Sequence, residues 1–246
     1  PERGNYKSQG AIPAARSRMD WQRTGHGGDS HRVSFGAPGD PLLPHLRRDL
    51  SRAREVAIIA AFVQDSGLEL LERDVLAAVA GGARVRLLTG DYLHITQSAA
   101  LRRLLDWTRE YEAFSGGEVD DRLDDGSFEA RVAELAQIQG TTFHPKSWRF
   151  SGTGFGHAWV GSSNLSRAAL QGGVEWNLLA DRGRDPGTYA QISDAFDVAW
   201  DSATVLTEEW VANYSERAAD PALGTAMLPP GQEDAEAAGP PPSPHP

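Results

Sequence analysis

The chain contains no cysteine. Structural disulfides, thiolate nucleophiles and cysteine-ligated zinc are therefore excluded. No apolar run approaches the ~20 residues that a bilayer-spanning helix needs. The opening residues, "PERGNYKSQGAIPAARSR", lack the apolar stretch of a secretory signal. A cytoplasmic setting with no membrane partner is the resulting expectation. A basic surplus is missing too: 24 Lys and Arg stand against 34 Asp and Glu, for a net charge of −10. A protein coated throughout in basic surface for nucleic acid does not have that balance. The chain also lacks an internal repeat.

What remains is an ordinary globular composition, 40% hydrophobic and 24% charged over 246 residues. That length suits one sizeable α/β domain or two small ones. Residues 1–30, rich in Gly, Ser and Arg, are expected to be a disordered N-terminal segment. Pro1 stands first and Met19 opens "MDWQRTGHGG", so residues 1–18 are set aside from fold reasoning. The end, 221–246, contains "MLPPGQEDAEAAGPPPSPHP" and is expected to be a disordered Pro/Ala-rich tail. The ordered domain is expected over 31–220.

Within that domain, helical and strand patterns alternate. "PLLPHLRRDLSRA" (41–53) predicts a helix, and "VAIIAAFV" (56–63) a strand buried on both faces. "SGLELLERDVLAAVAGG" (66–82) predicts a helix opened by Ser66 and Glu69 at capping-box spacing. "ARVRLLTG" (83–90) predicts the next strand, completing a βαβ unit with a parallel pair. Helices are expected at 97–113 and 128–139, flanking an acidic excursion at 115–127. "TTFHPKSWRF" (141–150) and "HAWVGSS" (157–163) predict two strands joined by a hairpin turn in "SGTGFG". A strand at 174–181 and a helix at 186–203 follow. That helix has Pro186 near its start and Tyr189, Ile192, Phe196, Ala199 and Trp200 on one face. The fold class is α/β: a mixed, mostly parallel β-sheet flanked by helices on both faces.

Charge is unevenly spread. Residues 110–135 are dominated by acidic groups, whereas 136–174 hold Lys146, Arg149 and Arg167 and no acidic residue. An anion finds the second stretch more hospitable. It contains His144 and Lys146 two positions apart, then "GSSN" at 161–164, and Glu175 follows. Each residue type suits phosphoryl chemistry. An imidazole attacks phosphorus covalently, and a second one protonates the leaving oxygen. A lysine ammonium neutralises non-bridging oxygens. Asn164 and the backbone at Ser162 and Ser163 supply donors for developing charge. A carboxylate such as Glu175 orients the imidazole. No metal and no cofactor are required.

"HPK" at 144–146, "GSSN" at 161–164 and Glu175 resemble the signature of the phospholipase D-like (HKD) superfamily. "FVQDSGLELL" (62–71) and "LLTGDYLHIT" (87–96) are similar to the single-motif nuclease-like domain found alone or attached to DEAD/DEAH-type helicases. The resemblance covers about residues 50–200. It implies a phospholipase D-like fold and a metal-independent phosphodiesterase, a nuclease with DNA as substrate and a helicase as a further partner. His144, Lys146, Asn164 and Glu175 are the implied catalytic residues; Ser162 and Ser163 bind substrate. The family builds its site from two motifs. One motif per chain therefore implies a homodimer, with one His144 from each copy at the two-fold axis. The family's aspartate after H-x-K is replaced by Ser151. Two alternatives stay open: a phospholipase or phosphatidyl-transferring enzyme, and a non-catalytic nucleic-acid or helicase-binding module.

Other residues read as structural. Trp148 and Trp159 are expected to pack together across neighbouring strands. His45, His94 and His157 have no partner at a recognisable ligand or base spacing. Asp91 and Tyr92 follow a strand end, where α/β folds place their sites. The acidic run 118–125 reads as a solvated loop.

Overall fold

The computed structural model describes residues 32–91, 95–114, 126–134 and 142–218. Tyr92, His94, the acidic run 118–125 and the two terminal segments lie outside those residues. In chain order the elements are β1 (Arg32–Ser34), α1 (Leu43–Leu50), β2 (Glu55–Ala60), α2 (Asp65–Ala80), β3 (Arg84–Gly90), α3 (Ser98–Phe114) and β4 (Ser127–Ala133). The hairpin strands β5 (Lys146–Gly152) and β6 (Phe155–Gly161) follow, then a one-turn π-helix (Ala168–Gly172). β7 (Asn177–Asp181), α4 (Pro186–Asp201), β8 (Thr204–Val205) and α5 (Glu208–Ala218) complete the fold.

The strands form one sheet in the order β1-β7-β6-β5-β2-β3-β4-β8. The β2–β3 and β3–β4 neighbours run parallel, as the expected βαβ unit requires. The other neighbours run antiparallel. The sheet is therefore mixed, as expected, but mostly antiparallel. The surplus comes from the β5–β6 hairpin, which carries β7 and β1 outward with it.

β2 is apolar almost throughout because both its faces are covered. Val56 and Ile58 meet α1 and α2, whereas Ala57 and Ile59 meet Phe196 and Trp200 of α4. Among the described residues, α1, α2, α3 and α5 pack one face of the sheet and α4 packs the other. α4 begins at the expected place: the Asp185 carboxylate accepts from the Thr188 N–H at 3.0 Å, and Pro186 opens the first turn. At α2 the expected capping box is put to other use. The helix starts at Asp65, the Ser66 hydroxyl accepts from the Arg167 N–H at 3.5 Å, and Glu69 pairs with Arg167 at 3.0 Å.

The helix expected at 128–139 is a correction. Residues 127–133 are strand β4, parallel to β3 over seven register pairs. Glu, Ala and Arg favour helix locally, but Phe128, Ala130 and Val132 alternate into the core. Burying that period-2 face on the open edge of β3 outweighs the propensity. Residues 135–139 lie outside the described part.

Trp148 and Trp159 sit directly opposite each other on β5 and β6, both buried. Beneath them lies a polar cluster that corrects the reading of two histidines as partnerless. Asp49 of α1 has no exposed surface. It accepts from Trp159 Nε1 at 3.2 Å and Arg52 Nη2 at 3.0 Å, and contacts His157 Nδ1 at 2.9 Å. His45 pairs with Asp40 at 2.6 Å and lies 5.1 Å from the Trp159 ring. The signal was invisible in sequence because the Asp49–His157 contact spans 108 residues.

Burial penalises the Asp49 charge. The hydrogen bond and charge of His157, with Trp159 and Arg52, outweigh that and hold its pKa below the ordinary 3.8. Because the folded value lies below the unfolded one, the stabilisation is complete above pH 3.8. It is lost as pH falls through the lower folded value. Asp49→Asn is expected to lower unfolding free energy at neutral pH by about 3 kcal/mol in urea titrations. The gap between variant and wild type should narrow as pH falls below 3.8.

Candidate functional site

Strand direction brings the motif residues to one end of the sheet. Lys146 starts β5 opposite Ala60, at the carboxyl end of β2. Gly161 ends β6 opposite Asn177, at the start of β7. The candidate site therefore lies at the carboxyl ends of the parallel strands, the usual site edge of an open α/β sheet. His144 precedes β5 and is exposed, whereas Lys146 is buried.

The two side chains touch, as their spacing predicts. Lys146 Nζ lies 2.7 Å from His144 Nδ1 and 3.0 Å from Nε2, and donates to the His144 carbonyl at 3.2 Å. Both ring nitrogens lie within reach of the ammonium, which can donate only to one that carries a lone pair. Lys146 is one of two lysines in the chain, the other being Lys7. All other basic charge is arginine. A compact ammonium retained at this one buried position is a sequence signal that the motif reading passed over.

Asn164 is 5% exposed, and its Oδ1 accepts from the Phe62 N–H at 3.3 Å. That bond ties the carbonyl of the amide to the segment that follows β2. Asn164 does not cap the turn that follows. Ser166 does so, its hydroxyl accepting from the Ala169 N–H at 3.2 Å.

Ser162 and Ser163 divide by strand alternation. Ser162 is exposed; its hydroxyl donates to Glu175 Oε2 and accepts from the Trp176 N–H at 3.1 Å. Glu175 thus takes Ser162 as its partner, where the sequence reading assigned it to the imidazole. Ser163 points inward with no exposed surface, so its hydroxyl serves the fold. Its hydroxyl accepts from Asn177 Nδ2 at 2.9 Å and its carbonyl accepts from Trp148 Nε1 at 3.4 Å. Asn177, missed in the sequence, braces this turn.

Gly161 lets the two strands close over that brace. A Cβ there would stand 2.0 Å from the Trp176 carbonyl and 2.5 Å from Asn177 Oδ1. Gly161→Ala is expected to cost about 1–3 kcal/mol, seen as a lower Tm in calorimetry. Gly172→Ala, where a Cβ meets nothing within 4 Å, should leave Tm unchanged.

No protein-family model and no curated protein matches the sequence. Solved structures do match in shape. NucT from Helicobacter pylori superposes with a TM-score of 0.51 at 16% identity, over 71% of this chain and 99% of that one. Nuc from Salmonella typhimurium, a phospholipase D family member, superposes at 0.50 and 13% identity, over 72% and 97%. Phosphatidylserine synthase from Haemophilus influenzae superposes at 0.50 and 15% identity, over 72% of this chain and 39% of that one. With its mixed sheet between helical layers, and HPK and GSSN gathered at one sheet end, this chain has the phospholipase D-like fold.

Proposed function

We propose that the chain, over about residues 31–220, is a metal-independent phosphodiesterase that cleaves DNA through a phosphohistidine. The observation that carries this is the buried Lys146 ammonium held against exposed His144, with Asn164 anchored at the same end of the sheet by the segment that follows β2. A ring nitrogen of one His144 attacks phosphorus while the bond to the leaving oxygen breaks. That oxygen takes a proton from the imidazolium of His144 in a second copy. Water then attacks phosphorus and gives its proton to the second imidazole as the P–N bond breaks. Both imidazoles return to their starting states. Lys146 and Asn164 balance charge on the non-bridging oxygens. Glu175 acts through Ser162 on the β6–β7 end.

A specific surface supports the second copy. Val33, Leu178 and Val160 are in register across β1, β7 and β6. They stand on the α4 face of the sheet; Leu178 is 45% and Val160 39% exposed. An isologous contact there covers an apolar row that α4 leaves open.

Purified protein is expected to cleave DNA in EDTA, and His144→Ala to reduce that by about three orders of magnitude or more. Cleavage only after adding Mg²⁺ overturns the mechanism. DNA binding without nicking identifies a binding module, and turnover of phosphatidyl lipid vesicles instead of DNA identifies a phosphatidyl-transferring enzyme. Light scattering should give two chains per particle. Leu178→Asp should shift the mass to one chain and reduce cleavage with it.

A further inference from the structure

Trp176 differs from the other tryptophans of this sheet region. Trp148 and Trp159 are 1% and 0% exposed, whereas Trp176 is 53% exposed. Its backbone is clamped to the candidate site. The Ser162 N–H donates to the Trp176 carbonyl at 3.0 Å, and the Trp176 N–H donates to the Ser162 hydroxyl at 3.1 Å. The same hydroxyl holds Glu175. The missing Cβ of Gly161 permits this close approach. Phe35 meets the indole edge-on, with centroids 5.3 Å apart and planes at 84°. Phe35 thus packs against the half-exposed indole, and the Trp176 backbone is hydrogen-bonded to Ser162 of the candidate site.

We propose that Trp176, backed by Phe35, is a stacking platform for a nucleobase of the bound strand. This rests on the phosphodiesterase reading of the same site and deepens it by naming the substrate class. A phosphate site recognises a backbone and is blind to bases. A braced, half-exposed indole offers a π-face, which attracts bases without reading their sequence. Bases within a duplex are already stacked and cannot reach it. The preferred substrate is consequently single-stranded or frayed nucleic acid. Trp176 lies on the same sheet face as Val33, Leu178 and Val160, so the subunit contact is the competing use of this ring.

The test is binding of a short fluorescent oligothymidylate, beside an oligonucleotide of equal length built from abasic sugars, at one fixed salt concentration. Both probes carry the same phosphates, so their difference isolates the base. Wild-type protein is expected to bind the base-carrying strand more tightly. Trp176→Ala should weaken that strand by about 5- to 150-fold, the range for loss of one stacked base, and leave the abasic strand unchanged. Trp176→Phe should restore part of the difference, and light scattering should show the wild-type mass for both variants. Equal weakening of both strands, no weakening of either, no binding by wild type, or a fall in mass for Trp176→Ala each overturns the platform. Because binding is read separately from cleavage, base-selective binding without cleavage in EDTA keeps the platform and rejects the nuclease.

Discussion

The register of β5 against β2 is the constraint on which the rest depends. Lys146 lies opposite Ala60, and Trp148 opposite Ile58. A slip of one residue would turn Trp148 and Phe150 out of the core and carry Lys146 to the other face. The register is held from both sides: Ile58 and Phe150 pack into the larger core, and Trp148 faces Trp159 on β6. The position of the candidate nucleophile is therefore a consequence of apolar packing several residues away.

The same logic explains why so polar a cluster survives beneath the tryptophans. Asp49 ties α1 to β6 through Trp159 and His157, and Arg52 closes the set. A buried carboxylate with three partners is tolerable, and one deprived of them is not. The cluster sits on the α1 face of the hairpin, whereas His144 and Lys146 sit at the opposite end of β5 from the turn at Gly154. Fold maintenance and the chemistry proposed for His144 therefore use different histidines on the same pair of strands.

The site itself is assembled from short-range and long-range parts. His144 and Lys146 meet because they are two residues apart. Asn164 reaches Phe62 across 102 residues, and Ser162 reaches Glu175 across the β6–β7 junction. Glycine at 161 is what lets that junction close. The overall negative charge is compatible with an anionic substrate because the charges of the site end are local and preorganised.

Much of this was legible in the chain. Local pattern determined the βαβ unit, the hairpin, α4 with its Pro186 start and the order of HPK, GSSN and Glu175, because periodicity, turn chemistry and motif spacing act between near neighbours. Only the tertiary structure decided which partner each group takes. It made 127–133 a strand, since the edge of β3 rewards an alternating face that helix propensity obscured. It turned Ser163 inward, gave Glu175 to Ser162, paired His157 with Asp49 and left Trp176 at the surface. Each of these depends on what folding brings alongside from distant sequence, and no spacing rule within one segment carries that information.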